Sequence, residues 1–429
     1  MKNGLFYLTY NGYYNYTTGI GTQTKLFLNG IDCYYEKLKK SFGDFEINMV
    51  VPKYDYSVDN YNIHHVIYAN NIINKYGGEV YMCDSAMEKG KDGFWTVSNW
   101  ERLTPSAASF IYNKSKKYKR NLVFAVDPPF LHVPMHIELY NKNNKFDIKS
   151  VILNYSSSYI HNKKNISFKK LGWEYQGFAS ARLYKNIFIG SFCNYMTNHF
   201  IKYYGADNKS FIPYSSSLLF NDEEYSELEQ SKVNSILEKY HIPKDKDIVF
   251  AFGRAAWIKG FDILSDSLVY LMHDIHLVLI AVPFEIDPSE YEIIIQKSDL
   301  SYTLITEFKR DLPHALCQHD HCRIVVCPSR GEPLSNIPLE VALWSKNKGP
   351  VVLASNIDGF LEQISDGENG FLFEEGDSKS LACKMNMILQ KTKRELDIIR
   401  KKAYEKVINE RSFERNFATL LKHIWGLTI

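Results

Sequence analysis

Residues 324 to 344 read I-V-V-C-P-S-R-G-E-P-L-S-N-I-P-L-E-V-A-L-W, and the change of pattern within them sets the fold class. An apolar run of strand length gives way to a Pro/Ser/Gly loop, and the loop gives way to a helical run. Two glutamates, Glu332 and Glu340, stand eight positions apart across the start of that helix. Its first turn offers unpaired N–H groups and the positive end of the helix dipole, a setting that favours bound phosphate. A carboxylate at the loop suits sugar hydroxyls, and one deeper along the helix suits a ribose diol.

The same alternation extends in both directions. Candidate strands in the first half are GLFYLTY, FEINMVV, GEVYMC, NLVFAV, SVILNYS and NIFIGS; in the second half they are DIVFAFG, IHLVLIAV, CRIVVCPS, GPVVLAS and GFLF. Short apolar runs separated by longer helical patterns predict α/β units with parallel strands. The polar, Ser-rich and acidic FIPYSSSLLFNDEEYSELEQ (211 to 230) reads as the connection between the halves. The architecture expected is two Rossmann-like, doubly wound domains facing across a cleft, with ligands at the carboxyl ends of the strands. The first spans 1 to 212 and the second 213 to 411, with a helix over 412 to 429 packing back on the first.

Length and composition agree. A chain of 429 residues suggests two or three domains, and 45% apolar with 23% charged residues is the composition of a globular protein. A net charge of +2 demands neither nucleic acid nor an anionic membrane. No apolar run approaches the roughly 20 residues that span a bilayer, and MKNGLFYLTYNGYYNYTTG has no secretory core. Seven cysteines, an odd number, read as reduced thiols, so the expected location is cytoplasmic.

The first strand of the second half ends in FGRAAWIKGFDIL (252 to 264). Gly253 is expected to allow a sharp exit from the strand. Arg254 as a planar fork and Lys259 as a point charge can together neutralise a diphosphate. An isolated R-x4-K is more often a solvated loop. Its place at a strand's carboxyl end, in the same domain as the two glutamates, favours function.

In order and spacing, G-R-x4-K-G-F-D, P-S-x-x-E-P-x6-E, P-V-V-x-A-S and D-G-x-N-G-F-L resemble the motifs of family 4 retaining glycosyltransferases, which have the GT-B fold. The resemblance covers nearly all of residues 247 to 390. It implies that Arg254 and Lys259 bind the donor diphosphate, that Glu340 holds the ribose, and that Glu332 meets the sugar and stabilises charge near its anomeric carbon. It further implies that amides near Leu334, Ser335 and Asn336 contact sugar and phosphate. The base would lie against the loop TEFKRDLP (306 to 313), near Phe308 and Lys309. This sequence departs from the pattern after the second strand, where AVPFEIDPSE replaces a Gly-rich turn. The small residue of the glutamate motif is Ser335.

The first half follows the resemblance less closely. Gly19 and Gly21 fall at the turn after the first strand, where the family's backbone approaches phosphate and acceptor, and Thr22 at the next helix start either touches the phosphate or caps the helix, capping being favoured. Many relatives carry a histidine beside the anomeric carbon; aligning VILNYSSS puts Tyr155 there, followed by Ser156 and Ser157. Nearby His132, His136 and His161 have no firm claim to the role. Asp127 ends NLVFAVD before two prolines, and either orients or deprotonates an acceptor hydroxyl or caps the loop; both readings stay open.

Other features weigh toward ordinary structure. Asp245-Lys246-Asp247 precedes a strand rather than ending one, so it does not read as a metal-binding Asp-x-Asp. His314, Cys317, His319, His321, Cys322 and Cys327 crowd together without a common zinc spacing. NKSKKYKR (113 to 120) and HNKKNISFKK (161 to 170) are either solvated ends or contacts with anionic lipid at the inner face of a membrane. The reading implied is transfer of a hexosyl or N-acetylhexosaminyl unit, with retention, from a nucleotide diphosphate sugar to a glycan, lipid-linked or small-molecule acceptor. No metal and no cofactor are expected. A phosphorylase or sugar-phosphate synthase on the same fold, and a donor-binding partner without turnover, are the alternatives.

Overall fold

A computed structural model describes residues 1–10, 12–15, 19–53, 61–84, 96–143, 145–155, 157–161, 167–214, 225–307 and 309–426 of the chain. The chain forms two compact units, Met1–Leu219 with Arg411–Ile429, and Phe220–Glu410. The sequence reading places these limits at 212/213 and 411/412.

The first unit is built on seven parallel strands: β1 (Asn3–Leu8), β2 (Phe45–Pro52), β3 (Val80–Cys83), β4 (Asn121–Val126), β5 (Ile148–Leu153), β6 (Ile187–Ser191) and β7 (Phe211–Pro213). Their spatial order is β3-β2-β1-β4-β5-β6-β7. All six residues of β1 and of β4 are buried, because a parallel sheet covered on both faces needs unbroken apolar runs. β1 lies between β2 and β4, with Leu5 opposite both Ile47 and Leu122. The strand order reverses between β1 and β4, so the carboxyl ends of those two strands open a crevice.

The helix Phe413–Trp425 belongs to this unit and packs on the helix Gly19–Phe42. Its buried residues Phe413, Phe417, Leu420, Leu421 and Ile424 follow helical spacing along one face. Phe417 meets Phe27 and Phe124 with ring centres 6.1 Å apart in each case, and Trp425 stacks on Phe45 at 5.8 Å. Gly30 is the point of closest approach, where a Cβ would lie 2.5 Å from the Phe413 ring.

The second unit has six parallel strands: β8 (Ile248–Ala255), β9 (His276–Pro283), β10 (Ser301–Ile305), β11 (Cys322–Cys327), β12 (Val351–Ser355) and β13 (Phe371–Phe373). The order is β10-β9-β8-β11-β12-β13, with its reversal between β8 and β11. Val249, Ala251, Leu277, Leu279, Ile324, Val326 and Leu353 form the centre of the core. β10 escapes the sequence reading. It is an edge strand, S-Y-T-L-I, whose first four residues are exposed or half-buried, so it has no apolar run.

Three local expectations need correction. Gly253 is not an exit from the strand: β8 continues to Ala255 and pairs with β9 as far as Pro283. The helix after β1 begins at Gly19, so Thr22 stands inside its first turn rather than at the cap. The loop read over 306 to 313 is shorter, because a helix starts at Asp311.

Candidate active site

At the β8/β11 reversal, two loops carry most of the residues singled out in the second half. The first leaves β8 through a turn at Trp257–Lys259 and enters the helix Phe261–Ser267. Gly260 makes that turn possible. Its φ is 66°, and a Cβ there would sit 1.9 Å from the carbonyl oxygen of Pro328. Only glycine combines a left-handed backbone with so close an approach to a neighbouring chain segment. The second loop, 328 to 335, joins β11 to the helix Asn336–Trp344.

The loops meet in an ion pair. Lys259 Nζ donates to Glu332 Oε2 at 2.5 Å, with both side chains largely shielded from solvent. The contact has the geometry of a charge-assisted hydrogen bond in a partly dry site. Beneath the pair, burial pushes the Cys327 thiol up to about 12, so it stands by as an uncharged wall.

Arg330 fastens the two loops together. Its guanidinium donates to both oxygens of Asp262, at 2.8 and 2.5 Å, and to the carbonyl of Trp257 at 2.9 Å. Its peptide N–H adds a bond of 2.8 Å to the carbonyl of Ile258. The opposite side of the Glu332 loop is held by the turn after β12. Asp358 Oδ2 accepts from the Glu332 N–H at 3.2 Å, and Gly359 N–H donates to the Glu332 carbonyl at 2.9 Å.

The helix start is arranged differently from the expectation for its amides. Ser335 is the N-cap, its hydroxyl accepting from Ile337 N–H at 3.3 Å. The Ser335 N–H is itself engaged by Gln363 Oε1 at 3.2 Å, and Gln363 Nε2 returns a bond to the Ser335 carbonyl at 2.7 Å. The Leu334 N–H has no hydrogen-bond partner among the described residues. Asn336 opens the helix itself.

Glu340 is 4% exposed on a helix that is otherwise apolar along its buried length. A carboxylate there needs a counter-charge. Arg310 provides one, with Nη2 3.0 Å from Glu340 Oε1 and its guanidinium 5.4 Å from the Trp344 ring centre. Lys309 turns instead to Glu307, and Phe308 lies outside the described residues. Arg254 is exposed at the end of β8, with its guanidinium carbon 4.5 Å from the ring centre of Phe284.

In the first unit, Asp127 stands at the β1/β4 reversal. It is 6% exposed with φ 65°, and it ties β4 to β5: its N–H bonds the Leu153 carbonyl at 2.9 Å, and its Oδ1 accepts from Tyr155 N–H at 3.4 Å. It is the N-cap residue of the following turn, its carbonyl accepting from Phe130 N–H at 3.1 Å, but its side chain makes no capping bond, since the turn's first two residues are prolines without N–H groups. Burial pushes its carboxyl up to about 7, with nearby Glu174 adding to the effect.

The Tyr155 hydroxyl lies 3.1 Å from that of Tyr214. Its loop is fixed from behind. Ser157 shares a hydrogen bond of 2.8 Å with His199, and Ser158 N–H and Oγ donate to Glu174 at 3.1 and 3.0 Å. Ser156 and residues 162–166 lie outside the described residues, as does much of the connection, 215–224.

The crowded His/Cys segment serves packing. His314 Nε2 meets the Ser226 carbonyl at 3.0 Å and its ring stacks on Trp344, while Cys317, Cys322 and Cys327 are buried. In the first basic run, Lys114 pairs with Glu46 and Glu79.

Arg310, Arg330, Asp262, Gln363 and Asp358 were missed as site residues. Asp262 stood within a quoted motif and Arg330 two positions before Glu332. Nothing local marks Gln363, which reaches Ser335 across 28 positions.

Two Rossmann-like parallel sheets in succession define a GT-B protein. Solved structures share the fold over the whole chain. Anabaena HepE in complex with UDP and glucose superposes with a TM-score of 0.69, at 14% identity, covering 99% of this chain and 100% of that one. Sucrose-phosphate synthase from Thermosynechococcus elongatus gives 0.71 at 13% identity, with both chains fully covered. Residues 233–406, within the second unit, match the family described as Glycosyl transferases group 1. The capsular polysaccharide biosynthesis glycosyltransferase CapM of Staphylococcus aureus is 24% identical over 163 residues, 36% of this chain. That stretch spans 40% of the length of CapM.

Proposed function

We propose that the chain is a retaining hexosyltransferase, moving a hexosyl or N-acetylhexosaminyl unit from a nucleotide diphosphate sugar to an acceptor hydroxyl. The observation that carries this reading is the Lys259–Glu332 pair at the sheet reversal, beside a capped helix start. Glycosyl transfer develops positive charge at the anomeric carbon and negative charge on the departing diphosphate. Glu332 is suited to the first, and Lys259, Arg254 and the Leu334 amide to the second, so fixed charges replace a metal ion. Glu340, paired with Arg310, would take the ribose diol.

UDP is the first donor base to test, since the HepE structure contains UDP and glucose. A polysaccharide or lipid-linked acceptor fits the similarity to CapM. Among the described residues no helix is long and apolar enough to cross a membrane; contact with anionic lipid through the Lys-rich first-half segments is part of the proposal.

A thermal-shift screen of nucleotide sugars, followed by product analysis with the donor that binds, tests the reading. A donor at 100 times its Kd adds about 2.7 kcal/mol of stability. The expected product keeps the α configuration of the donor. A β product would overturn retention, and binding without transfer or hydrolysis would leave only a donor-binding role.

A further inference from the structure

Four cations stand around the second-unit site, and three of them hold carboxylates: Lys259 with Glu332, Arg310 with Glu340 and Arg330 with Asp262. Arg254 forms no ion pair among the described residues, and its one contact of note is the face of Phe284. That ring is 59% exposed, so it adds little to the core. The segment bearing it is fastened to the Arg254 loop. Glu285 and Ile286 N–H donate to the Ala255 carbonyl at 3.0 and 2.9 Å, and Glu285 Oε2 accepts from Trp257 N–H at 3.2 Å. The ring is thereby set one residue beyond the end of the β8/β9 pairing, beside the unpaired guanidinium.

We propose that Phe284 is a positioning residue for Arg254, acting through a cation–π contact that holds an uncompensated guanidinium ready for an anionic diphosphate. An exposed arginine otherwise spreads over many rotamers, and fixing it in advance removes that loss from the binding step. The ring attracts the cation without neutralising it, which a carboxylate in the same place would do. The inference rests on the reading of Arg254 as a diphosphate ligand.

The test is calorimetric titration of UDP, ADP and GDP into the full chain and into Arg254→Ala, Phe284→Ala, Phe284→Tyr and the double Ala variant. Removing the ring should weaken binding of the preferred nucleotide about three-fold, the range expected for an exposed cation–π contact. Phe284→Tyr should retain wild-type affinity, and the double variant should bind no more weakly than Arg254→Ala alone. The melting temperature should not move in any Phe284 variant. Unchanged affinity in Phe284→Ala, or an equal loss when Arg254 is already absent, overturns the proposal while leaving the diphosphate reading intact. Wild-type affinity in Arg254→Ala, or no binding of any of the three by the wild type, overturns both.

Discussion

On the proposed reading the Lys259–Glu332 pair carries the charges that meet the reacting centre, and truncating either should be felt in turnover. Glu332→Gln and Lys259→Ala are each expected to lower turnover by about 10²-fold or more, the size of a lost charge-stabilising contact. A transfer assay under saturating donor checks this, and near-normal rates would remove both from the site. Asp127 makes a different prediction. Its carboxyl titrates at about 7 in the folded chain against an ordinary 3.8, so the folded state binds the proton more tightly. That group therefore disfavours folding as pH rises from about 4 to 7, by about 4 kcal/mol at most. Asp127→Asn keeps an oxygen for the Tyr155 N–H and should raise the melting temperature more at pH 8 than at pH 5. Equal shifts at the two pH values would contradict it. Four buried histidines, His132, His199, His276 and His319, act in the opposite direction. Burial holds each at about 4 against 6.5, so the stability they permit is full above 6.5 and lost on acidification toward 4.

At the scale of elements, two loops from separate strands have to arrive in register, and their coupling lies in backbone contacts. Gly260→Ala should destabilise the chain by about 2 kcal/mol or more, since it forces a left-handed residue against the Pro328 carbonyl; urea denaturation measures it. Arg330→Ala should lower kcat/KM about ten-fold by letting the loops drift, a sub-ångström misplacement being enough for such a loss. Because Arg330 and Asp262 form one clamp, combining Arg330→Ala with Asp262→Asn should cost little more than either alone. Sequence reading reaches this level unevenly. Glu332, Lys259 and Glu340 sit at fixed spacings next to strand and helix signals, and these are local. The Gln363–Ser335 and Arg310–Glu340 contacts join segments 28 and 30 positions apart, and no local pattern announces them. Edge strand β10 was hidden for a related reason: half-exposed positions carry no apolar signature.

On the scale of the molecule, most strands of both sheets and their parallel character follow from apolar runs that the sequence displays, because strands covered on both faces are predominantly apolar. The last helix is expected to pack back on the first unit and does so, although the spacing of its large apolar residues by itself shows only an amphipathic helix. Phe417→Ala removes a ring 5% exposed between Phe27 and Phe124. It should destabilise the first unit by about 3 to 5 kcal/mol, the usual result for a buried phenylalanine. Denaturation followed by probes in each unit would show the early transition confined to the first.

The chain leaves the first unit near residue 219 and re-enters it only at residue 411. During synthesis, the helix that covers Gly30 and Phe27 therefore emerges after the whole second unit. The second unit can complete its core while the first still presents an uncovered aromatic face, so the order of folding runs against the order of the units in the chain. Interrupted translation would release a finished second unit attached to an incomplete and aggregation-prone first one.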